Sequence, residues 1–119
     1  MKKQILIADD EEIVVRSCLR ILSAQEFDID TVSNGLEAIE KVAEKEYDLL
    51  ILDIMMPKMS GMEVLQRVKE THPDIDVIMI TGLNQIETAV EAMKLGAFDY
   101  LPKPFDPEEL EMVVERALE

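Results

Sequence analysis

Cysteine and histidine each occur once in 119 residues, basic residues are a minority, and no apolar run approaches membrane-spanning length. Each scarcity closes off a class of function. The single Cys18 permits no intrachain disulfide and no cysteine metal cluster. It lies among Val14, Val15, Leu19 and Leu22 at helical spacing, the setting of a small buried hydrophobe rather than a nucleophile. His72 precedes Pro73 in what reads as a solvent-exposed loop, and it cannot complete a Ser-His-Asp triad or a histidine-rich metal site. With 26 acidic residues against 12 basic, the formal net charge is -14, so direct nucleic-acid binding is not expected. The apolar stretch after Met1-Lys2-Lys3 stops at Asp9-Asp10-Glu11-Glu12, too early for a secretion signal, so a cytoplasmic location off the membrane is expected. No glycine-rich phosphate loop follows that first stretch, which argues against a nucleotide or flavin binder.

What is present is a regular alternation. Hydrophobic residues make up 48% and charged residues 32% of the chain, the balance of one globular domain over residues 1–119. Gln4 to Ala8 reads as a buried strand, and apolar residues then recur at helical spacing from Glu11 to about Gln25. Ile29 to Val32 is a second strand, and the turn Ser33-Asn34-Gly35 leads into a helix carrying Ala38, Ile39 and Val42. Leu49 to Asp53 is a third strand, and Ser60 with Glu63 forms a capping-box pattern that opens a third helix. Val77 to Ile80 ends at Thr81-Gly82, and a fourth helix from about Gln85 to Leu95 is stopped by Gly96. After a short strand Asp99 to Leu101, Asp106-Pro107-Glu108 opens the last helix. Five such alternations predict an α/β domain, a parallel sheet covered by helices on both faces, with its ligand site beyond the carboxyl ends of the strands.

That rule gathers scattered residues into one place. Asp9 and Asp10 end the first strand, Asp53 the third and Thr81 the fourth, while Lys103 follows the fifth. An aspartate closing the run Leu49-Leu50-Ile51-Leu52 is not core filling, and the next helix signal waits until Ser60, so Asp53 reads as the reactive centre. Three converging carboxylates repel one another unless a cation holds them. Oxygen-only ligands favour magnesium, with manganese as a substitute, over zinc or copper. An ammonium and a hydroxyl beside such a cradle suit a phosphoryl group, which Asp53 can accept as an aspartyl-phosphate. Taken one at a time the residues have plainer readings: Asp9 or Asp10 as a helix cap, Lys103 as a solvated loop lysine, Tyr100 as a half-buried sheet residue. Met55, Met56, Met59 and Met62 read as gap fillers ahead of a docking surface.

The ordered set Asp9-Asp10, Asp53 within Leu-Asp-Ile-Met-Met-Pro-Lys-Met-Ser-Gly, Thr81-Gly82, and Tyr100 with Lys103-Pro104-Phe105 resembles the receiver domains of two-component response regulators, the CheY-like superfamily. The resemblance implies a doubly wound, flavodoxin-like sheet of order 2-1-3-4-5. It implies Asp53 as phosphoacceptor, with magnesium held by Asp10, Asp53 and the backbone carbonyl of Met55, and by Asp9 mainly through water. Thr81, Gly82 and Lys103 would bind the phosphoryl group, with Lys103-Pro104 cis. Thr81 and Tyr100 would form the switch that remodels helix four, strand five and helix five. A sensor histidine kinase or small acyl phosphate would be the donor; an output domain, another protein or a second copy of the chain would read the change. The segment from Gly96 to Phe105 is similar to receivers of sigma-54-dependent transcriptional regulators. Met55 and Leu83 are apolar where some members carry water-steering polar groups, which implies a phosphorylated state that is not among the shortest-lived. A magnesium phosphohydrolase is the enzymatic rival, but Met55 stands where such enzymes carry a second acid. A receiver degenerated into a docking module fits poorly, since every acidic, hydroxyl and lysine position is filled.

Overall fold

Uninterrupted aliphatic runs become the strands of one sheet in the computed structural model, which describes residues 2–82 and 84–119. The elements alternate strictly: β1 (Lys3–Ala8), α1 (Glu12–Leu22), β2 (Phe27–Val32), α2 (Gly35–Glu44), β3 (Leu49–Asp53), α3 (Gly61–Thr71), β4 (Asp76–Thr81), α4 (Ile86–Lys94), β5 (Asp99–Pro102) and α5 (Pro107–Ala117). All strand pairs are parallel and the order is β2-β1-β3-β4-β5, the order the resemblance implies. The reversal lies between β1 and β3, so the ends of these two strands face a crevice.

Side-chain alternation along each strand feeds two cores. Leu6, Leu50, Leu52, Val77 and Met79 pack toward α2, α3 and α4 through Ala38, Val42, Leu65, Val68 and Ala92. Ile5, Ile7, Leu49, Ile51 and Ile80 pack toward α1 and α5 through Cys18, Leu22, Leu110 and Val114. Central strand β3 is buried along its whole length. Burying one such leucine or isoleucine contributes roughly 2 kcal/mol, so the centre of the sheet is its stiffest part. Among the described residues no helix is long and apolar enough to cross a membrane.

Helix boundaries follow local chemistry. Asn34 Oδ1 accepts from the Glu37 N–H and caps α2. Ser60 Oγ accepts from the Glu63 N–H at 3.3 Å, the serine half of the pattern at α3. At α5 the Glu109 carboxylate accepts from the Asp106 N–H, with Pro107 in the first turn. Gly96 (φ 108°) ends α4: its N–H donates to the Met93 carbonyl and that of Ala97 to the Ala92 carbonyl, closing a Schellman motif. Four expectations need correction. Helix α1 stops at Leu22, three residues short of Gln25, and β2 starts at Phe27, where the chain pairs with β1 beyond its apolar residues. His72 is half-buried, not exposed: its N–H donates to the Val68 carbonyl at the end of α3, and the residue lines a depression with Ile39, Val42 and Val68. Met59 is buried as a filler, but Met55 is 63% exposed beside the sheet edge.

The β3–α3 loop is pulled tightly under Asp53. The Gly61 N–H donates to the Ile54 carbonyl at 2.8 Å, and a Cβ on Gly61 would stand 2.1 Å from the Asp53 carbonyl oxygen. Lys58 turns the same loop at φ 69°, a strained value for a side-chain-bearing residue, with the Met59 N–H on the Pro57 carbonyl. Gly61→Ala is expected to cost about 2 kcal/mol or more, read from the urea midpoint. Gly82→Ala, whose Cβ would meet only side-chain atoms at 3.2 Å and beyond, should cost far less.

Candidate functional site

The site is assembled by strand ends. Asp53 closes β3 opposite Ile80, and the Ile54 N–H donates to the Ile80 carbonyl, so Asp53 and Thr81 leave neighbouring strands together. The Lys103 N–H donates to the Thr81 carbonyl at 2.7 Å, which fixes the start of the β5–α5 loop against β4. Asp9, just past β1, is held by its own N–H on the Val32 carbonyl and accepts the Glu11 N–H on Oδ1. That bond goes to the residue preceding α1, and neither Asp9 nor Asp10 caps the helix. The Lys103–Pro104 peptide is cis.

These elements bring one carboxylate oxygen each from Asp9, Asp10 and Asp53 to within 4.8 Å of one another. Lys103 Nζ stands 3.6 Å from Asp53 Oδ1, 3.5 Å from Asp9 Oδ2 and 2.5 Å from Glu11 Oε1. Asp9 and Asp53 are only 3% and 5% exposed, whereas Asp10 faces solvent. Burial, then the neighbouring Asp9 charge, pushes the Asp53 carboxyl up to about 7, although Lys103 and the Met55 N–H pull the other way. Burial likewise raises Asp9. Burial also works against the Lys103 ammonium, but Glu11, Asp53 and Asp9 outweigh it and hold its pKa above the ordinary lysine value.

Of three buried side-chain oxygens without a hydrogen-bond partner among the described residues, one is Gln4 Oε1 and two belong to the site, Asp9 Oδ2 and Thr81 Oγ1. Asp9 Oδ2 keeps only the ion pair with Lys103 at 3.5 Å, and a buried polar atom without a hydrogen bond costs about 1–3 kcal/mol, which a donor or cation reaching either oxygen would relieve. The donors are all hard oxygens and carry excess negative charge, which fits a divalent magnesium-type ion and fits zinc poorly. Asp10, Glu11, Asp53, Met55, Gly82, Gln85 and Lys103 share a cavity of about 350 Å³. Thr81 is fully buried beneath it and does not line it. Tyr100 lies away from the carboxylates, half-buried over a separate depression with Met112 and Arg116. Leu83 lies outside the described residues. Sequence reading missed Glu11, the nearest partner of Lys103, because nothing in its spacing separates it from the adjoining acids. It also missed Gly61 as the support under Asp53, since Ser60-Gly61 reads only as a helix start.

The raised Asp53 carboxyl sets a pH dependence. The folded chain holds this proton up to about pH 7, while an unfolded aspartate loses it near pH 4. Folded protein thus binds more protons in that window, and its stability falls as pH rises through it. In metal-free buffer the urea midpoint should therefore be higher near pH 5 than near pH 8. Asp53→Asn should flatten much of that fall and exceed the parent's stability at the alkaline end. A parent midpoint that rises across the window would contradict the burial of an ionised Asp53.

Similarity to characterised proteins agrees with this geometry. The family profile of the response regulator receiver domain matches residues 5–115. Regulatory protein AtoC of Escherichia coli (strain K12) is 40% identical over 116 residues, 98% of this chain and 25% of that protein. The DNA-binding transcriptional regulator NtrC of the same strain is 40% identical over 119 residues, 99% of this chain and again 25% of the relative. The chain thus spans a quarter of the length of these relatives. The crystal structure of the receiver domain of NtrX from Brucella abortus superimposes with a TM-score of 0.92 at 35% identity, covering 96% of this chain and 97% of that one. On the profile match, the relatives and the shared fold, the chain belongs to the response regulator receiver domains of two-component systems.

Proposed function

We propose that Asp53 accepts a phosphoryl group in a magnesium-dependent reaction and that the added charge resets the surface built by α4, β5 and α5. The observation that carries this reading is the convergence of three carboxylates, an ammonium and an unpartnered buried hydroxyl at the ends of four parallel strands. An oxygen of the ionised Asp53 carboxylate attacks phosphorus, an O–P bond forms, and the bond to the donor's imidazole nitrogen or acyl oxygen breaks with its electron pair leaving on the donor. Asp9, Asp10, Asp53 and the Met55 carbonyl would hold magnesium, which neutralises the carboxylates and the incoming phosphoryl oxygens when bound. Lys103 would meet one phosphoryl oxygen, and the Gly82 N–H another once it leaves Gln85 Oε1. Thr81 would have to shift upward to present its hydroxyl, and Tyr100 follows the space it vacates. His72, at the far end of α3, is badly placed to act as donor, so a separate sensor histidine kinase or a small acyl phosphate supplies the group.

Exposed apolar side chains suit protein partners on two sides. Ile13, 80% exposed, opens with Val14, Ile21 and Phe105 an apolar groove next to Lys103, fit for a protein donor. Ile86, Val90 and Met93 on α4, Phe98 before β5 and Met112 on α5 expose a second apolar set on the face proposed to read out the switch, through an output domain, another protein or a second copy. We take residues 1–119 as one receiver domain working in the cytoplasm, a signalling switch rather than a turnover enzyme, with contact to DNA left to other domains because of the -14 charge.

Acetyl phosphate labelling in magnesium buffer tests the assignment. Wild-type protein should take up one phosphoryl group, and Asp53→Asn should take up none while keeping its circular dichroism spectrum. Labelling that persists in the variant on another residue would overturn it. With apolar Met55 over the cavity, the bound phosphoryl group should outlast a few seconds, followed by loss of the label after donor removal.

A further inference from the structure

Gly82 and Gln85 both line the cavity into which Asp53 and Lys103 open. Having no side chain, Gly82 faces that space with its peptide, and its N–H is already engaged, donating to Gln85 Oε1 at 2.6 Å. A second amide oxygen crowds in: a Cβ on Gly82 would lie 3.2 Å from Gln85 Oε1 and 3.4 Å from Asn84 Oδ1. We propose that Gln85 is a latch, its amide oxygen occupying in the unphosphorylated protein the backbone donor that a phosphoryl oxygen takes on phosphorylation. This rests on reading Asp53 as the phosphoacceptor.

The exchange has a direction. A charged phosphoryl oxygen makes a hydrogen bond roughly twice as strong as a neutral amide oxygen does. It also repels the amide oxygens already gathered over Gly82. Displacement reaches α4 directly, because Gln85 is the residue that precedes that helix. Its side chain caps no helical N–H, being turned back onto Gly82. Its backbone meanwhile ties loop to helix: the Gln85 N–H donates to the Gly82 carbonyl at 3.1 Å and its carbonyl accepts from Ala89 at 3.0 Å. Freeing the Gln85 side chain therefore removes the side-chain tie between the β4–α4 loop and the start of α4, the helix that carries the exposed Ile86 and Val90.

The test uses Gln85→Met, close in shape but without the acceptor, and beryllofluoride in magnesium buffer as the stand-in for a phosphoryl group on Asp53. In the free protein, hydrogen exchange at the Gly82 amide should speed up severalfold in the variant. Beryllofluoride should bind the variant about 2- to 10-fold more tightly, the fold-change of one net hydrogen bond. Unchanged or weaker beryllofluoride binding, with wild type binding normally, overturns the latch and leaves the phosphoacceptor reading intact, as expected of a residue that only supports α4. Wild-type protein that takes up no beryllofluoride defeats both, and that failure shows before any variant is compared.

Discussion

Crowding of negative charge at a dry sheet edge is the constraint from which the other features follow. β3 is buried throughout, so the carboxylate that ends it emerges where little water can solvate it. The topological reversal then sets Asp9 and Asp10 beside it. Among the described residues a single ammonium, that of Lys103, reaches both buried acids, and it sits closer to Glu11 than to either. The cluster is left short of positive charge, and in the function proposed above that deficit is what would draw a cation and, through it, a phosphoryl group.

The sheet supplies the rigidity this arrangement needs. Residues that must keep their spacing lie on strand ends fixed by the β3–β4 and β4–β5 ladders, with Gly61 allowing the next helix to pass directly beneath Asp53. Residues proposed to move are differently placed. Thr81 carries an unsatisfied hydroxyl, Tyr100 is half-buried at the sheet margin, and Gln85 is held by a single side-chain hydrogen bond. These are the side chains that the proposed two-state switch would rearrange.

Most of the fold was legible in the sequence because its signals are local and redundant. Unbroken runs such as Leu49 to Leu52 and helix ends marked by Asn34, Gly96 and Asp106-Pro107 leave little choice of element. The edge strand β2 was read two residues short because Phe27 and Asp28 lack an apolar pattern, and pairing with β1 alone extends the strand there. The carboxylates, Thr81 and Lys103 could be placed at one end of the sheet by rule, since parallel strands deliver their last residues to the same edge. What could not be read was which acid Lys103 prefers, how closely Gly61 approaches Asp53, that Thr81 is sealed below the cavity, or that Gln85 folds back on Gly82. Those facts depend on distances of a few ångströms between segments far apart in the chain, and a pattern of residue types does not encode them.

The most direct measurement is the melting temperature of metal-free protein titrated with magnesium near pH 8, in parent and Asp10→Asn. Asp10 is exposed, so its replacement leaves the core untouched. If the three carboxylates form a cation cradle, magnesium raises the parent's melting temperature in a saturable way and does so much less in the variant. A parent that ignores magnesium, or a variant that responds to it equally, would contradict the cradle.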